Sequence, residues 1–231
     1  MKKGLTELVF VIDRSGSMGG LENDTIGGFN ATLEKHREQP GEAIVSTVLF
    51  DHETLVLHDR ENIERVKPLT HDDYQVRGCT ALLDAVGESV RHIERVQRYL
   101  PEDYRAEHVI FVITTDGYEN ASQRYTYAKV RSMIERKKED GWEFLFLGAN
   151  IDAVGEAARI GIQADRAATY MADTTGTFVM NNAVADATCA MRNAPCGAPI
   201  DASWKEEVER DTATRGGKHK QSKRGIGLWR R

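Results

Sequence analysis

The chain has 231 residues, 40% of them hydrophobic, which is enough for one substantial core and a modest tail but not for two full domains. Its formal charge of −5 is unevenly spread: residues 212–231 hold seven Lys/Arg and no acid, leaving 24 basic against 36 acidic residues upstream, a net of −12. An acidic body is a poor general surface for nucleic acid, whose phosphates need Lys and Arg, so such contact is confined to the basic tail and the body suits cations or basic partners.

Leu8–Ile12 (LVFVI) is a short, β-branched apolar run that ends abruptly in DRSGSMGG, the pattern of a buried strand feeding a loop. Ile26, Phe29 and Leu33 then repeat at helical spacing. Ala43–Phe50 and Thr54–His58 are strand-like runs separated only by DHE, too short for a helical crossover, so the second is expected to run antiparallel. From Thr80, the residues Leu82, Val86, Val90, Ile93 and Leu100 keep one face apolar while Glu88, Arg91 and Arg95 fall elsewhere, which predicts a long amphipathic helix. His108–Thr115 is a near-continuous apolar strand followed by Asp116-Gly117 and a helix with Tyr127, Val130 and Ile134 on one face. Glu143–Asn150, a short helix near Ala153–Arg159, Ala167–Ala172 and a helix over 175–192 continue the alternation. Strands alternating with helices imply a parallel sheet covered on both faces: an α/β fold with six strands, mostly parallel, and one antiparallel edge strand.

Three polar segments stand at strand-to-helix junctions: Asp13-Arg14-Ser15-Gly16-Ser17, Thr80, and Thr115-Asp116-Gly117. In a doubly wound sheet the loops at the carboxyl ends of the strands face one edge, so separated segments can converge on one point. Two carboxylates and three hydroxyls suit magnesium, which takes six oxygen ligands and keeps several waters. Taken singly, each segment has a plainer explanation. Ser17 or Asn23 could cap the next helix, Thr80 could be an N-cap, and Asp116-Gly117 could be a turn. Order and spacing together favour the metal.

Asp-x-Ser-x-Ser after the first strand, the Thr of RGCTAL, and TDG after a hydrophobic strand resemble the von Willebrand factor A (vWA) family, over roughly residues 5–190. The resemblance is to its compact, stand-alone bacterial members and implies a Rossmann-like, doubly wound fold. It also implies a metal-ion-dependent adhesion site in which Ser15, Ser17 and Thr80 supply hydroxyls while Asp13 and Asp116 bind the ion directly or through water. The ion is expected to be Mg2+, with Mn2+ or Ca2+ as alternatives. Its remaining position would take an Asp or Glu carboxylate of a protein partner, so nothing is chemically transformed. Because two carboxylates leave the ion's charge incompletely neutralised, an arriving carboxylate gains Coulombic energy.

Enzymatic readings fare worse. Phosphatases of the haloacid dehalogenase type also place an Asp after strand one and bind magnesium, but they carry Asp-x-Asp, and Ser15 stands where the second Asp would protonate the leaving group. A receiver-like phosphoacceptor lacks its acidic cluster and late-strand Lys. The seven histidines form no HExxH, no G-x-S-x-G elbow is present, and neither GxxxxGK[ST] nor G-x-G-x-x-G occurs. Glycines 16, 19, 20, 27 and 28 are read as permitting a tight metal loop.

Residues 1–200 are taken as the vWA-like domain and 201–231 as a flexible basic tail, whose Lys218, Lys220, Lys223, Arg224, Trp229, Arg230 and Arg231 could contact nucleic acid or an acidic partner. Cys79, Cys189 and Cys196 are odd in number and form no CxxC pair, which suits reduced thiols. The opening MKKGLTELVFVI is too short in its apolar part for a signal peptide, and no run reaches the roughly 18–20 apolar residues of a spanning helix. A cytoplasmic protein with no membrane contact is expected.

Overall fold

A computed structural model describes residues 1–198 and 200–224, with side chains through Arg215. Six strands, β1 (Lys2–Asp13), β2 (Glu42–Phe50), β3 (Thr54–Asn62), β4 (Ala106–Thr115), β5 (Glu143–Ala149) and β6 (Ala167–Tyr170), form one sheet in the order β3-β2-β1-β4-β5-β6. All neighbours are parallel except the edge pair β2–β3, which the three residues Asp51–Glu53 join as a hairpin.

The helices are α1 (Glu22–Arg37), α2 (Leu82–Tyr99), α3 (Tyr127–Glu139), α4 (Ala153–Arg159), α5 (Thr174–Asn193) and α6 (Glu206–Arg224). Successive side chains of a strand point to opposite faces, so a strand covered on both sides must be apolar throughout. In β1, Leu8, Phe10 and Ile12 pack with α1 and α5, whereas Val9 and Val11 pack with α2, α3 and α4. That double burial explains why LVFVI shows no alternation. The apolar stripe of α2 closes over the second face with Val86 and Val90 fully buried, each contributing about 1.5–3 kcal/mol.

Helix starts are fixed by side chains: Thr126, Asp152 and Asp173 accept backbone N–H groups at the first turns of α3, α4 and α5. Neither Ser17 nor Asn23 caps α1, and α2 opens after Ala81 with no side-chain cap, which leaves the Ser17 and Thr80 hydroxyls available. Gly27 and Gly28 lie inside α1 rather than in the loop before it, contrary to their reading as loop residues. Gly28 has a packing reason there, because a Cβ would overlap the Asn181 amide of α5.

The stretch from Asp201 also differs from the flexible tail expected. Its described part is a short turn (Ala202–Lys205) and α6, and it joins the α1/α5 core through Val208, which is 1% exposed. The Trp204 indole N–H donates to the Asp165 carbonyl (2.9 Å), the Thr212 hydroxyl to the Thr169 carbonyl (2.9 Å), and Arg215 pairs with Asp211 and the α5 cap Asp173. One apolar residue in a mostly charged helix is too sparse to register as a period, so its docking emerges only against the finished sheet edge. The residues singled out for nucleic-acid contact, from Lys218 on, lie outside the described side chains.

Candidate metal centre

The winding direction reverses at β1, which has β2 on one side and β4 on the other. The carboxyl ends of β1 and β4 therefore flank a switch point, where ligands of open α/β sheets bind. Ile12 and Thr114 are register partners, so Asp13 and Thr115 emerge side by side.

Asp13 is fully buried. Its carboxylate accepts the Ser15 N–H (2.6 Å) and the Thr115 hydroxyl (2.6 Å), while its carbonyl accepts the buried Tyr74 hydroxyl (2.5 Å). A short turn over Gly16–Met18, anchored by buried Met18, brings Ser17 back over the strand end. Ser15 and Ser17 oxygens stand 3.2 Å apart, the Thr80 hydroxyl donates to the Ser15 oxygen (3.0 Å), and the Ser17 hydroxyl donates to Asp116 (2.5 Å). All five expected residues thus meet at one place. Gly117 fits tightly beneath them: a Cβ there would stand 3.0 Å from the Thr80 hydroxyl oxygen and 3.3 Å from that of Ser17.

Burial pushes the Asp13 carboxyl up to about 6, against hydrogen bonds from Thr115 and Ser15 that pull it down and with a further upward push from the Asp116 charge. Burial likewise raises Asp116, opposed by the Ser17 hydrogen bond. Among the described residues no Lys, Arg or His pairs with either carboxylate. Buried anions without a counter-charge are costly. Two carboxylates among three hydroxyl oxygens therefore form a donor set that fits a hard divalent cation, and such an ion would supply the missing charge.

A second carboxylate nearby is arranged differently. Asp51, at the hairpin tip, has Arg14 Nε at 2.9 Å and accepts Arg77 Nε (2.8 Å) and the Glu53 N–H (2.7 Å). Burial opposes its ionisation, but the Glu53 N–H and the Arg77 and Arg14 guanidiniums outweigh it and hold its pKa below the ordinary value. Asp51, His52 and Glu53 bring metal-type ligand atoms within 4.8 Å of one another. With two guanidiniums already on Asp51, however, this group is a set of ion pairs rather than a cation site.

Further residues, not picked out from the sequence, hold the loops in place. The Asn120 side chain accepts the Thr80 N–H (2.9 Å), and the Thr80 carbonyl accepts the N–H groups of Asn120 (3.0 Å) and Ala121 (3.2 Å). Glu119 accepts the N–H groups of Leu83, Ala121 and Ser122, and Asp84 those of Gln123, Arg124 and Tyr125. The loop after β1 and the Thr80 segment are also joined main chain to main chain, Gly16 N–H to Gly78 and Arg77 N–H to Arg14, and the Thr80 segment is tied to the β2–β3 hairpin by Ala81 N–H to Asp51. In the sequence, the polar run GYENASQR after Asp116 signals only a loop. Its acceptors become legible once α2 is beside it.

No family model matches the sequence, and no curated protein matches it. Solved structures do. The chain is similar to proximal thread matrix protein 1 from the mussel byssus, with a TM-score of 0.55 at 15% identity over 80% of this chain. Another structure of that protein, whose metal-ion-dependent adhesion site holds zinc, gives 0.56 at 16% identity. The chain spans under half of those mussel chains, 46% of their length. It is also similar to the von Willebrand factor domain of Mfa5, a type V pili tip protein of Porphyromonas gingivalis, with a TM-score of 0.53 at 11% identity over 78% of this chain and 94% of that one. The strand order, the single antiparallel edge and these likenesses agree: this chain has the α/β fold of von Willebrand factor A domains.

Proposed function

We propose that the protein is a divalent-cation-dependent protein-interaction module. Asp13, Ser15, Ser17, Thr80 and Asp116 hold the ion, and a carboxylate from an Asp or Glu of a protein partner completes its coordination. The observation that carries this reading is the convergence of two buried carboxylates, with no cationic side chain on either among the described residues, upon three hydroxyl oxygens at the sheet's switch point. Mg2+ is the proposed ion, since an all-oxygen set with only two carboxylates suits a small hard cation that retains water; Mn2+ and Ca2+ are the alternatives. The zinc held at this motif in a mussel neighbour supports a divalent cation in general.

When bound, the ion supplies positive charge for an incoming carboxylate. The chain's own residues do the rest: Thr115 and the Ser15 N–H orient Asp13, Ser17 orients Asp116, and Asn120 fixes the Thr80 loop. We assign the module a binding role rather than a catalytic one. No described helix is long and apolar enough to cross a membrane. A cytoplasmic setting fits the three unpaired thiols, and the bacterial type is proposed from the motif resemblance.

Thermal unfolding against Mg2+ and Mn2+ concentration tests the reading. An ion that binds only the folded state adds about 2.7 kcal/mol at 100 times its dissociation constant, which is several degrees in a domain of this size. A saturable rise in the parent that vanishes in Asp13→Ala is expected. A flat response in the parent to both ions, or an equal rise in the two proteins, overturns it, and turnover of a generic phosphate ester would revive the phosphatase alternative.

A further inference from the structure

The two outer strands of the sheet are finished differently. The edge of β6 is covered: the Thr212 hydroxyl donates to the Thr169 carbonyl (2.9 Å) and the Lys205 ammonium to the Ala167 carbonyl (3.2 Å). The far half of β3 is protected by its own sequence, since Asp59, Arg60 and Glu61 are charged and the pairing with β2 shifts register on either side of His58. Its first half, Thr54–Leu57, has neither device. The register is regular from Thr54 to Val56, and Leu55 and Val56 are 40% and 51% exposed. Among the described residues, no hydrogen bond reaches the main chain of this stretch from any element but β2. An open main chain on an apolar, uncharged edge is a template for another strand, and folded proteins rarely leave one bare.

Beside this stretch a slot of about 160 Å3 opens between β3 and α2. Its floor is apolar, formed by the buried Val9, Val48 and Ile93. The two serines there are occupied by the main chain, Ser89 donating to the Ala85 carbonyl (2.7 Å) and Ser46 accepting the Arg60 N–H (3.1 Å). The mouth is acidic. Asp59 of β3 stands there, joined to His92 (2.8 Å), with Glu88 of α2, whose partner Arg124 is shared with Asp84. With His92 neutral, three carboxylates against one guanidinium leave a charge of −2. Arg60, the basic residue of β3, is turned away onto the buried Glu7. A long aliphatic side chain that ends in a cation matches both parts, its stem against the floor and its head at the mouth. Thr54 and Val56 line the slot, and a strand added beside them turns every second side chain to that same face. We propose that the outer edge of β3 and this slot form a strand-addition site for an extended segment of a protein partner that carries Lys or Arg on its slot-facing side. The main chain of Thr54–Leu57 supplies the hydrogen bonds, and the slot with Asp59 and Glu88 selects the side chain. The site shares no residue with the cation centre at the end of the sheet.

Short peptides that alternate valine with lysine, or valine with glutamate, are the probes, titrated into the isotope-labelled full chain. The lysine peptide is expected to bind saturably with Kd below about 1 mM, with amide shifts and slowed hydrogen exchange centred on Thr54–Leu57 and the slot-lining turns of α2. The glutamate peptide, and a lysine peptide with proline in place of the valines, which removes main-chain donors, should each bind at least about tenfold more weakly. The double variant Asp59→Asn/Glu88→Gln should lose about tenfold for the lysine peptide. Equal binding of the lysine and glutamate peptides, binding of neither, or an unchanged affinity in the double variant overturns the proposal. So does butylamine that matches the peptide, which would make the slot a small-amine site. A concentration-dependent dimer in sedimentation that Val56→Lys dissolves would give the edge to a second copy of the chain and overturn it as well. The Mg2+-dependent rise in Tm is expected to persist in both variants, so failure here is distinguishable from failure of the metal reading.

Discussion

Two clusters of buried carboxylate lie within a few residues of each other on the same sheet edge, and they are built on opposite principles. Asp51 is neutralised from within by Arg14 and Arg77, and its pKa is lowered. Asp13 and Asp116 are given hydroxyls and one N–H but, among the described residues, no counter-charge, and their pKa values are raised. Arg14 sharpens the contrast, because it adjoins Asp13 in sequence yet turns its guanidinium to Asp51. A carboxylate complete in its own ion pairs is structural. One left short of positive charge is arranged to receive it from outside.

The largest expected effect comes from breaking the completed cluster. Asp51→Ala strands the buried Arg14 guanidinium and should cost about 3–5 kcal/mol of folding stability, equally with Mg2+ or EDTA, in denaturant melts. Neutralising a carboxylate of the uncompleted cluster should behave in the opposite way. Asp13→Asn removes an uncompensated buried charge, so at pH 7 in EDTA it should leave the protein as stable as the parent or up to about 3 kcal/mol more so, while abolishing the response to Mg2+. A cation response retained in Asp13→Asn would erase the distinction between the two clusters.

His36 offers a way to isolate the Asp13 contribution by pH. It is fully buried, its Nε2 lies 2.9 Å from the Thr188 hydroxyl, and burial, aided by Arg192 and Lys35, lowers its pKa to about 4. A lowered pKa means the unfolded state binds the proton first. The stability it contributes is complete above about pH 6.5 and is lost as pH falls through 4, by about 3 kcal/mol. Asp13 has the opposite sign: its raised pKa makes the cation-free folded state gain stability as pH falls from about 6 to 3.8. Stability in EDTA should therefore vary little between pH 6.5 and 4 in the parent but decline steadily with acid in Asp13→Asn. Parallel curves for the two proteins would show that Asp13 titrates normally.

The smallest effects belong to the hydroxyl side of the site. Thr80→Ala removes one neutral ligand and should weaken Mg2+ about tenfold, roughly 1.4 kcal/mol, with the fold intact. Asn120→Ala, which frees the Thr80 loop without touching the ion, should weaken it only a few-fold. Calorimetric titration of both distinguishes them, and equal losses would place Asn120 at the ion itself.

Much of this was legible in the chain. Strands buried on both faces are apolar without interruption, as in LVFVI and HVIFVITT, and the three-residue DHE connection left β3 no choice but to turn back. The five candidate ligands were legible because each lies in a short polar run between a strand and a helix, which is conspicuous after a hydrophobic one. Less legible were interactions between segments far apart in sequence whose residues look ordinary in isolation. Arg14 adjoins the candidate site, yet its partner is 37 positions away. Thr115 reads as the last residue of a strand until its hydroxyl is seen on Asp13, and α6 reads as charged tail until Val208 reaches the core.

Hydrophobic periodicity and short polar motifs, which are local properties, therefore determined the α/β architecture, the antiparallel edge and the five polar residues that meet at the end of the sheet. The tertiary structure decided which charges are compensated, which loops are clamped and which part of the C-terminal segment packs. Desolvation and pairing depend on what lies across the sheet edge, and a buried anion and a neutralised one are the same letter in the sequence.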